Sequence, residues 1–192
     1  MRKERVGFAV CGSFCTHAEV LRALERVSDI YETVIPIVSE ISAETDTRFG
    51  TAQNLLAEIE RLTGRKPLGD IPGVEPIGPK SLLDILVIAP ATGNTLAKLA
   101  AGITDTAVTM AAKAHLRNGK PVVIAMASND GLAAGARNIG ELLVRKHYYF
   151  VPFGQDAPHQ KPTSLIADFG KLEETMDAAL RGEQIQPLLL RS

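Results

Sequence analysis

The chain has 192 residues, 45% of them hydrophobic and 22% charged, with a formal net charge of −1. That is the composition of an ordinary folded domain with enough residues for a substantial core, and one domain spanning 1–192 is expected. Lys and Arg are scattered, so nothing marks a nucleic-acid or anionic-membrane partner, and no apolar run reaches the length of a membrane span.

Taken in chain order, strands and helices alternate. Arg5–Cys11 reads as a buried strand, and Thr16–Val27 as a helix with Val20, Leu21, Leu24 and Val27 on one stripe. A β-branched run follows at Thr33–Val38, then an amphipathic helix at Thr51–Leu62. Gly64–Lys80, rich in Pro and Gly, is expected to cross the surface with a short strand. Leu82–Ala89 is nearly all apolar, as a strand covered on both faces would be. Helices are expected at Thr95–Ala101 and Asp105–Arg117, the latter stopped by Asn118-Gly119 before Pro121. Val122–Ala127 is the next buried strand, followed by a helix at Asn138–Val144 and a short strand at Tyr148–Val151. A closing helix is expected over Leu165–Leu180, with a loose tail after about residue 182.

Such alternation predicts an α/β fold with a parallel sheet and helices on both faces. Ligands in these folds sit beyond the carboxyl ends of the strands, so the loops after strands carry the search. In "CGSFCTH", Gly12 permits close backbone approach and Ser13 adds a hydroxyl beside a helix start, which suits either a phosphate or a plain capped turn. The three-glycine dinucleotide fingerprint is missing, although Glu40 could contact a ribose. Ser39 ends the second strand. "PATGNT" concentrates Thr92, Gly93, Asn94 and Thr95 at a helix start; a cap accounts for one of them, and the remainder suit a polar ligand. Pro90 is expected to stop the strand ladder there, and Gly93 to adopt a conformation closed to other residues. "MASNDG" adds Ser128 and Asn129, with Asp130-Gly131 as a turn.

The four histidines show no helical metal spacing, and no metal is expected. His17, at a helix start that would lower its pKa, is a candidate proton handler, and Lys161 a second catalytic candidate; His115 and His147 are expected to be at the surface or partly buried. Cys11 and Cys15 form no disulfide framework, which suits a reducing, cytosolic setting. The Pro-stiffened "FVPFGQDAPHQKPTS" offers Gln155, Asp156 and Lys161, either to a substrate or partner or as a rigid surface excursion.

Gly12-Ser13, Ser39 and "PATGNT" together resemble the flavoprotein family that includes phosphopantothenoylcysteine decarboxylase, the lantibiotic cysteine decarboxylases and the flavin prenyltransferases, where the last loop commonly reads P-A-S-A-N-T. The resemblance implies a Rossmann-like three-layer sandwich with a mainly parallel sheet, a homo-oligomer of trimeric type, and bound FMN. It assigns the phosphate to Gly12 and Ser13, the ribityl and ring region to Ser39 and Thr92 to Thr95, and the flanks to Ser128 and Asn129. Glu75–Ala125 and the "SNDG" and "GQDAPHQKP" stretches are similar to a branch of the family that acts in two-component synthases. That implies a partner chain carrying NAD(P) and a small dicarboxylate substrate, with Lys98, Arg137 and Lys161 as cationic partners for its carboxylates. Two departures separate the chain from the decarboxylases. Glu44–Gln53 contains no histidine, and "MASNDG" stands where they carry P-x-M-N-x-x-M-W. A stand-alone cysteine decarboxylase and a non-catalytic stabilising component are the two other functions compatible with the resemblance.

Overall fold

The computed structural model describes residues 1–190. In chain order the elements are β1 (Arg2–Val10), α1 (His17–Ile30), β2 (Tyr31–Val38), α2 (Glu40–Glu44), α3 (Ala52–Thr63) and α4 (Ile71–Val74). Then come β3 (Ile85–Ala91), α5 (Gly93–Ala101), α6 (Ala107–Leu116), β4 (Val122–Ser128) and α7 (Ala136–Leu143). β5 (Tyr148–Phe150), β6 (Phe153–Gln155), β7 (Leu165–Ala167) and α8 (Leu172–Leu180) complete the fold.

β2, β1, β3, β4 and β5 lie side by side in that order and pair in parallel, so the sheet is doubly wound about β1. Every residue of β3 is buried, as its unbroken apolar run requires. The helices pack on the sheet and on one another through Val20, Leu24 and Val27 of α1, as their spacing set out, with Ala23 buried beside them and Leu21 half-buried, and through Leu55 and Ile59 of α3. Gly7, inside β1, is there for packing: a Cβ would stand 2.5 Å from Leu83 Cδ1 and 2.8 Å from Leu86 Cδ1. Gly64 and Gly102, at φ of 66° and 71°, close α3 and α5 in the left-handed conformation.

Several expectations are corrected. The closing helix does not begin at Leu165. Leu165–Ala167 is a strand, antiparallel to Ala127–Ser128 of β4 and to β6, so a tertiary strand partner outweighs the helical spacing. Asp168 then accepts the Gly170 amide at 2.9 Å and turns the chain into α8. β3 runs through Pro90, after a cis Ala89–Pro90 peptide, with a register shift against β4 between Ile88 and Ala91 in place of a stop. Gly64–Lys80 contributes one bridge, Leu68 to Ile37, and otherwise folds as α4 and a 3-10 turn that bury Val74 and Ile77. The tail, expected to be loose, is tied down as far as Leu190. The Gln184 amide bonds both the N–H and the carbonyl of Phe150 at 2.7 Å, and residues 188–190 run along β6. His115, expected at the surface or partly buried, is wholly buried. Its Nε2 bonds the Pro121 carbonyl at 3.0 Å, and its Nδ1 has no partner among the described residues.

Candidate functional site

Strand order reverses between β1 and β3, so the loops leaving their carboxyl ends diverge to opposite faces and open a crevice. A cleft of about 610 Å³ lies there, lined by Cys11 and Gly12 from the first loop, Ser39, Glu40, Ile41 and Glu44 from the second, and Thr92, Asn94, Thr95 and Lys98 from the third. Thr106, Val108 and Thr109 at the start of α6 close it. Its size is that of an ordinary ligand pocket.

The third loop divides its polar groups between two tasks. Thr92 is the N-cap of α5: its Oγ1 accepts the Thr95 amide at 3.1 Å and lies 3.0 Å from the Thr95 hydroxyl. Two of the four polar positions therefore build the helix start. Asn94 is exposed and makes no side-chain hydrogen bond among the described residues, which leaves its amide free for a ligand. Gly93 is not in a left-handed conformation. It is needed for clearance, because a Cβ there would lie 2.7 Å from Ser128 Oγ and 2.8 Å from Asp130 Oδ1. Ser128 Oγ donates to that carboxylate at 2.5 Å.

In the second loop, the Ser39 N–H donates to Val10 O at 3.0 Å, and its hydroxyl donates to Ser42 Oγ at 3.0 Å. Glu40 reaches across to α6, accepting the Ala107 amide at 3.3 Å. Burial pushes the Cys11 thiol up to about 12, so it stays protonated at the cleft floor. Of the residues singled out in the sequence, Gly12, Ser39, Thr92, Asn94, Thr95 and Lys98 meet in this cleft, whereas Ser13, Gly93, Ser128 and Asn129 stand outside its lining. The Ser13 hydroxyl makes no hydrogen bond among the described residues. Glu44, Thr106 and Thr109 escaped sequence reading. The T-x-x-T of Thr106 and Thr109 reads as a cap, which it is, and only tertiary packing sets that cap against α2.

A second cavity of about 370 Å³ lies on the other side of α2, lined by Phe14, His17, Ser42, Phe49 and the residues that open α3. His17 begins α1 and its ring lies 5.2 Å from that of Phe14. Its Nε2 is 2.8 Å from the carbonyl of Cys11; a carbonyl only accepts, so Nε2 carries the proton and Nδ1 keeps its lone pair. Burial holds the His17 pKa below that of a free imidazole, and the bond to Cys11 opposes this in part. Desolvation is thus the main cause, where the sequence pointed to the helix terminus.

The cationic candidates are mostly occupied. Lys98 pairs with Asp105 at 2.8 Å and Lys161 with Asp156 at 2.8 Å, while Gln155 Nε2 donates to Pro162 O at 2.9 Å and closes its own loop. That loop is distant from the others only in sequence. Thr163 Oγ1 donates to Asn129 O at 2.7 Å, which draws the loop and Asn129 together at the end of β4. Arg137 is exposed on α7 with no ion-pair partner among the described residues, and lines neither cavity. No cluster of metal-ligating side chains occurs among the described residues, and no helix there is long and apolar enough to cross a membrane.

A doubly wound sheet with a polar cleft at its switch point defines a Rossmann-like α/β sandwich. The chain belongs to the Flavoprotein family, whose model matches residues 1–148. It is 41% identical over 192 residues to the B component of dipicolinate synthase from Bacillus subtilis (strain 168), covering all of this chain and 96% of the relative. The crystal structure of the corresponding B component from Bacillus halodurans C superposes with a TM-score of 0.90 at 45% identity, over 98% of this chain and 97% of the other. The FMN-dependent cysteine decarboxylase SpaF superposes with a TM-score of 0.67 at 25% identity, over 92% and 97%.

Proposed function

We propose that this protein is the B component of a two-component dipicolinate synthase and that it binds FMN in the cleft. The observation that carries the reading is the convergence of Gly12, Ser39, Thr92, Asn94 and Thr95, from three separate loops, on one cavity at the switch point. The donor set fits the cofactor. Asn94 and Ser13 hold unspent hydrogen-bonding groups, Gly12 leaves backbone exposed for a phosphate, and Glu40 and Glu44 can accept from ribityl hydroxyls. Gly93, Ser128 and Asn129 border this region and complete the rim in our assignment. When bound, the flavin ring supplies a hydride acceptor.

The substrate is dihydrodipicolinate or its hydroxylated precursor. Aromatising the dihydro ring removes a hydride and a proton, the hydroxylated precursor having first lost water, and the protein's own part is to orient the ring and accept the proton at His17 Nδ1. The A component of the synthase brings NAD(P) and completes the active assembly. Gln155, Asp156 and Lys161 lie on a loop held rigid by its internal bonds, which suits docking to that partner, and Arg137 adds an unpaired charge for the same purpose. The chain works as a homo-oligomer, a trimer or an assembly of trimers, in the cytoplasm of the mother cell of a sporulating bacterium.

The test is direct. Freshly purified protein, once denatured, should release FMN, and dipicolinate should form only after mixing with the A component. Release of no flavin, or dipicolinate formation by the A component alone at an unchanged rate, would sink the reading.

Asn94→Ala should weaken FMN binding by about tenfold or more, since a ligand group buried without its partner costs about 1–3 kcal/mol. Quenching of flavin fluorescence on titration measures it. An unchanged affinity in the folded variant removes Asn94 from the site.

A further inference from the structure

A further cavity, of about 380 Å³, is formed by the carboxyl end of α5, by α6 and by the start of β5. Its apolar wall is made by Leu99, Ile103, Leu116 and the Tyr148 ring. Its charged residues are Lys113, Arg117 and Arg145, and no acidic side chain lines it.

The three cations are not equivalent. Arg145 is spent inside the fold: it donates to Leu99 O at 3.2 Å and Ala100 O at 2.6 Å and pairs with Glu141 at 2.8 Å. In doing so it covers the last carbonyls of α5, the negative end of that helix, which would otherwise repel an approaching anion. Lys113 and Arg117 are both exposed and have no ion pair among the described residues. They stand four apart at the end of α6, where like charges face each other and repel. Both suit the dipole of α6, but that leaves their N–H donors unspent.

The neutral polar groups of the cavity have the same sign of preference. Neither the Thr104 hydroxyl nor the Tyr148 phenol has a hydrogen-bond partner among the described residues. Burial holds the Tyr148 pKa above its ordinary value, so the phenol keeps its proton and can donate. Every spare polar group here can therefore donate, and none carries negative charge. Beside them Ile103 leaves 46% of its surface exposed. An apolar wall under two unpaired cations fits an apolar ring that bears carboxylates, and the volume, at the small end of ligand pockets, suits a single ring.

We infer that this cavity is a binding site, separate from the cleft, for a one-ring aromatic dicarboxylate, with Lys113 and Arg117 on its carboxylates and the ring against Ile103, Leu116 and Tyr148. The inference goes beyond the proposed synthase reading and does not need it; that reading adds only that the reaction product belongs to this chemical class. Thr109 borders both this cavity and the cleft, so α6 is shared between the two sites.

Hydrogen exchange of the FMN-saturated protein, with and without millimolar pyridine-2,6-dicarboxylate, tests this. The ligand should slow exchange at residues 102–104 and 116–119. In the double variant Lys113→Ala, Arg117→Ala the concentration giving half of that protection should rise about tenfold or more, since two charge-assisted hydrogen bonds are lost. FMN affinity and melting temperature should stay as in the parent, because both side chains are exposed and line no part of the cleft. Unsubstituted pyridine should protect neither segment. The inference falls if the dicarboxylate leaves these segments unprotected in the parent, if the double variant is protected at the same concentration as the parent, or if pyridine protects as well as the dicarboxylate. None of these failures touches the synthase reading, which stands or falls on FMN release and on dipicolinate formation with the A component.

Discussion

On the proposed two-component reading, His17→Gln should lower the turnover of the reconstituted enzyme by about a hundredfold or more, the usual effect of losing a positioned proton acceptor. Glutamine is the informative replacement. Its amide can still donate to the Cys11 carbonyl that His17 Nε2 bonds at 2.8 Å, so the turn into α1 is kept, but it has no basic nitrogen to match Nδ1. The pH dependence gives an independent readout. Burial lowers the His17 pKa below that of a free imidazole, so the parent is unprotonated and competent at neutral pH and loses rate as pH falls through that lowered pKa. The variant, having nothing to protonate there, should be slow and lack this acidic limb. FMN affinity should not change, since His17 does not line the cleft. A variant that keeps near-parent turnover, or one that keeps the acidic limb, removes His17 from proton transfer.

Acidification should destabilise the fold in two stages. His115 is fully buried, and desolvation depresses its pKa from 6.5 to about 4. Between those values the unfolded chain binds a proton that the folded chain refuses, so stability is complete above about pH 6.5 and is lost as pH falls towards 4. The loss is on the order of 3 kcal/mol. The second stage involves Asp84, which accepts from the Arg5 amide and guanidinium and from Lys120 Nζ at 2.9 Å, and whose carboxyl is held well below the usual carboxylate range by Arg5 first and Lys120 second. Its contribution is present above its ordinary value near 3.8 and disappears as pH falls below it. Urea unfolding at pH 7, 5.5 and 4 measures the first stage. His115→Gln preserves a donor to Pro121 O without the titration, so its pH 7 to pH 4 loss should be much smaller than the parent's. Equal losses in the two proteins would show that His115 is not the group responsible.

The cleft also shows why the sequence read unevenly. The polar density of "PATGNT" was legible because it exceeded what a cap needs. What the sequence could not apportion was which residue does which. Thr92 and Thr95 bond each other across the first turn of α5, and Asn94 is left over. The cations Lys98 and Lys161 attracted attention as substrate ligands because pairing is invisible in one dimension, and Asp105 and Asp156 neutralise them.

By itself the sequence determined the alternation of elements, the apolar faces of α1 and α3, the fully buried β3 and the buried run Val122–Ala127, and the Asn118-Gly119 stop after α6. These follow from period, propensity and backbone freedom, which act over a few neighbouring residues. Only the tertiary structure decided that Leu165–Ala167 is a strand, that the segment after Gly182 docks along β6, that His115 is sealed from water, and that the loops after β1, β2 and β3 line one cleft. Each depends on what stands opposite a residue after the chain has returned from far away, and burial, pairing and desolvation are properties of that encounter and not of the residue.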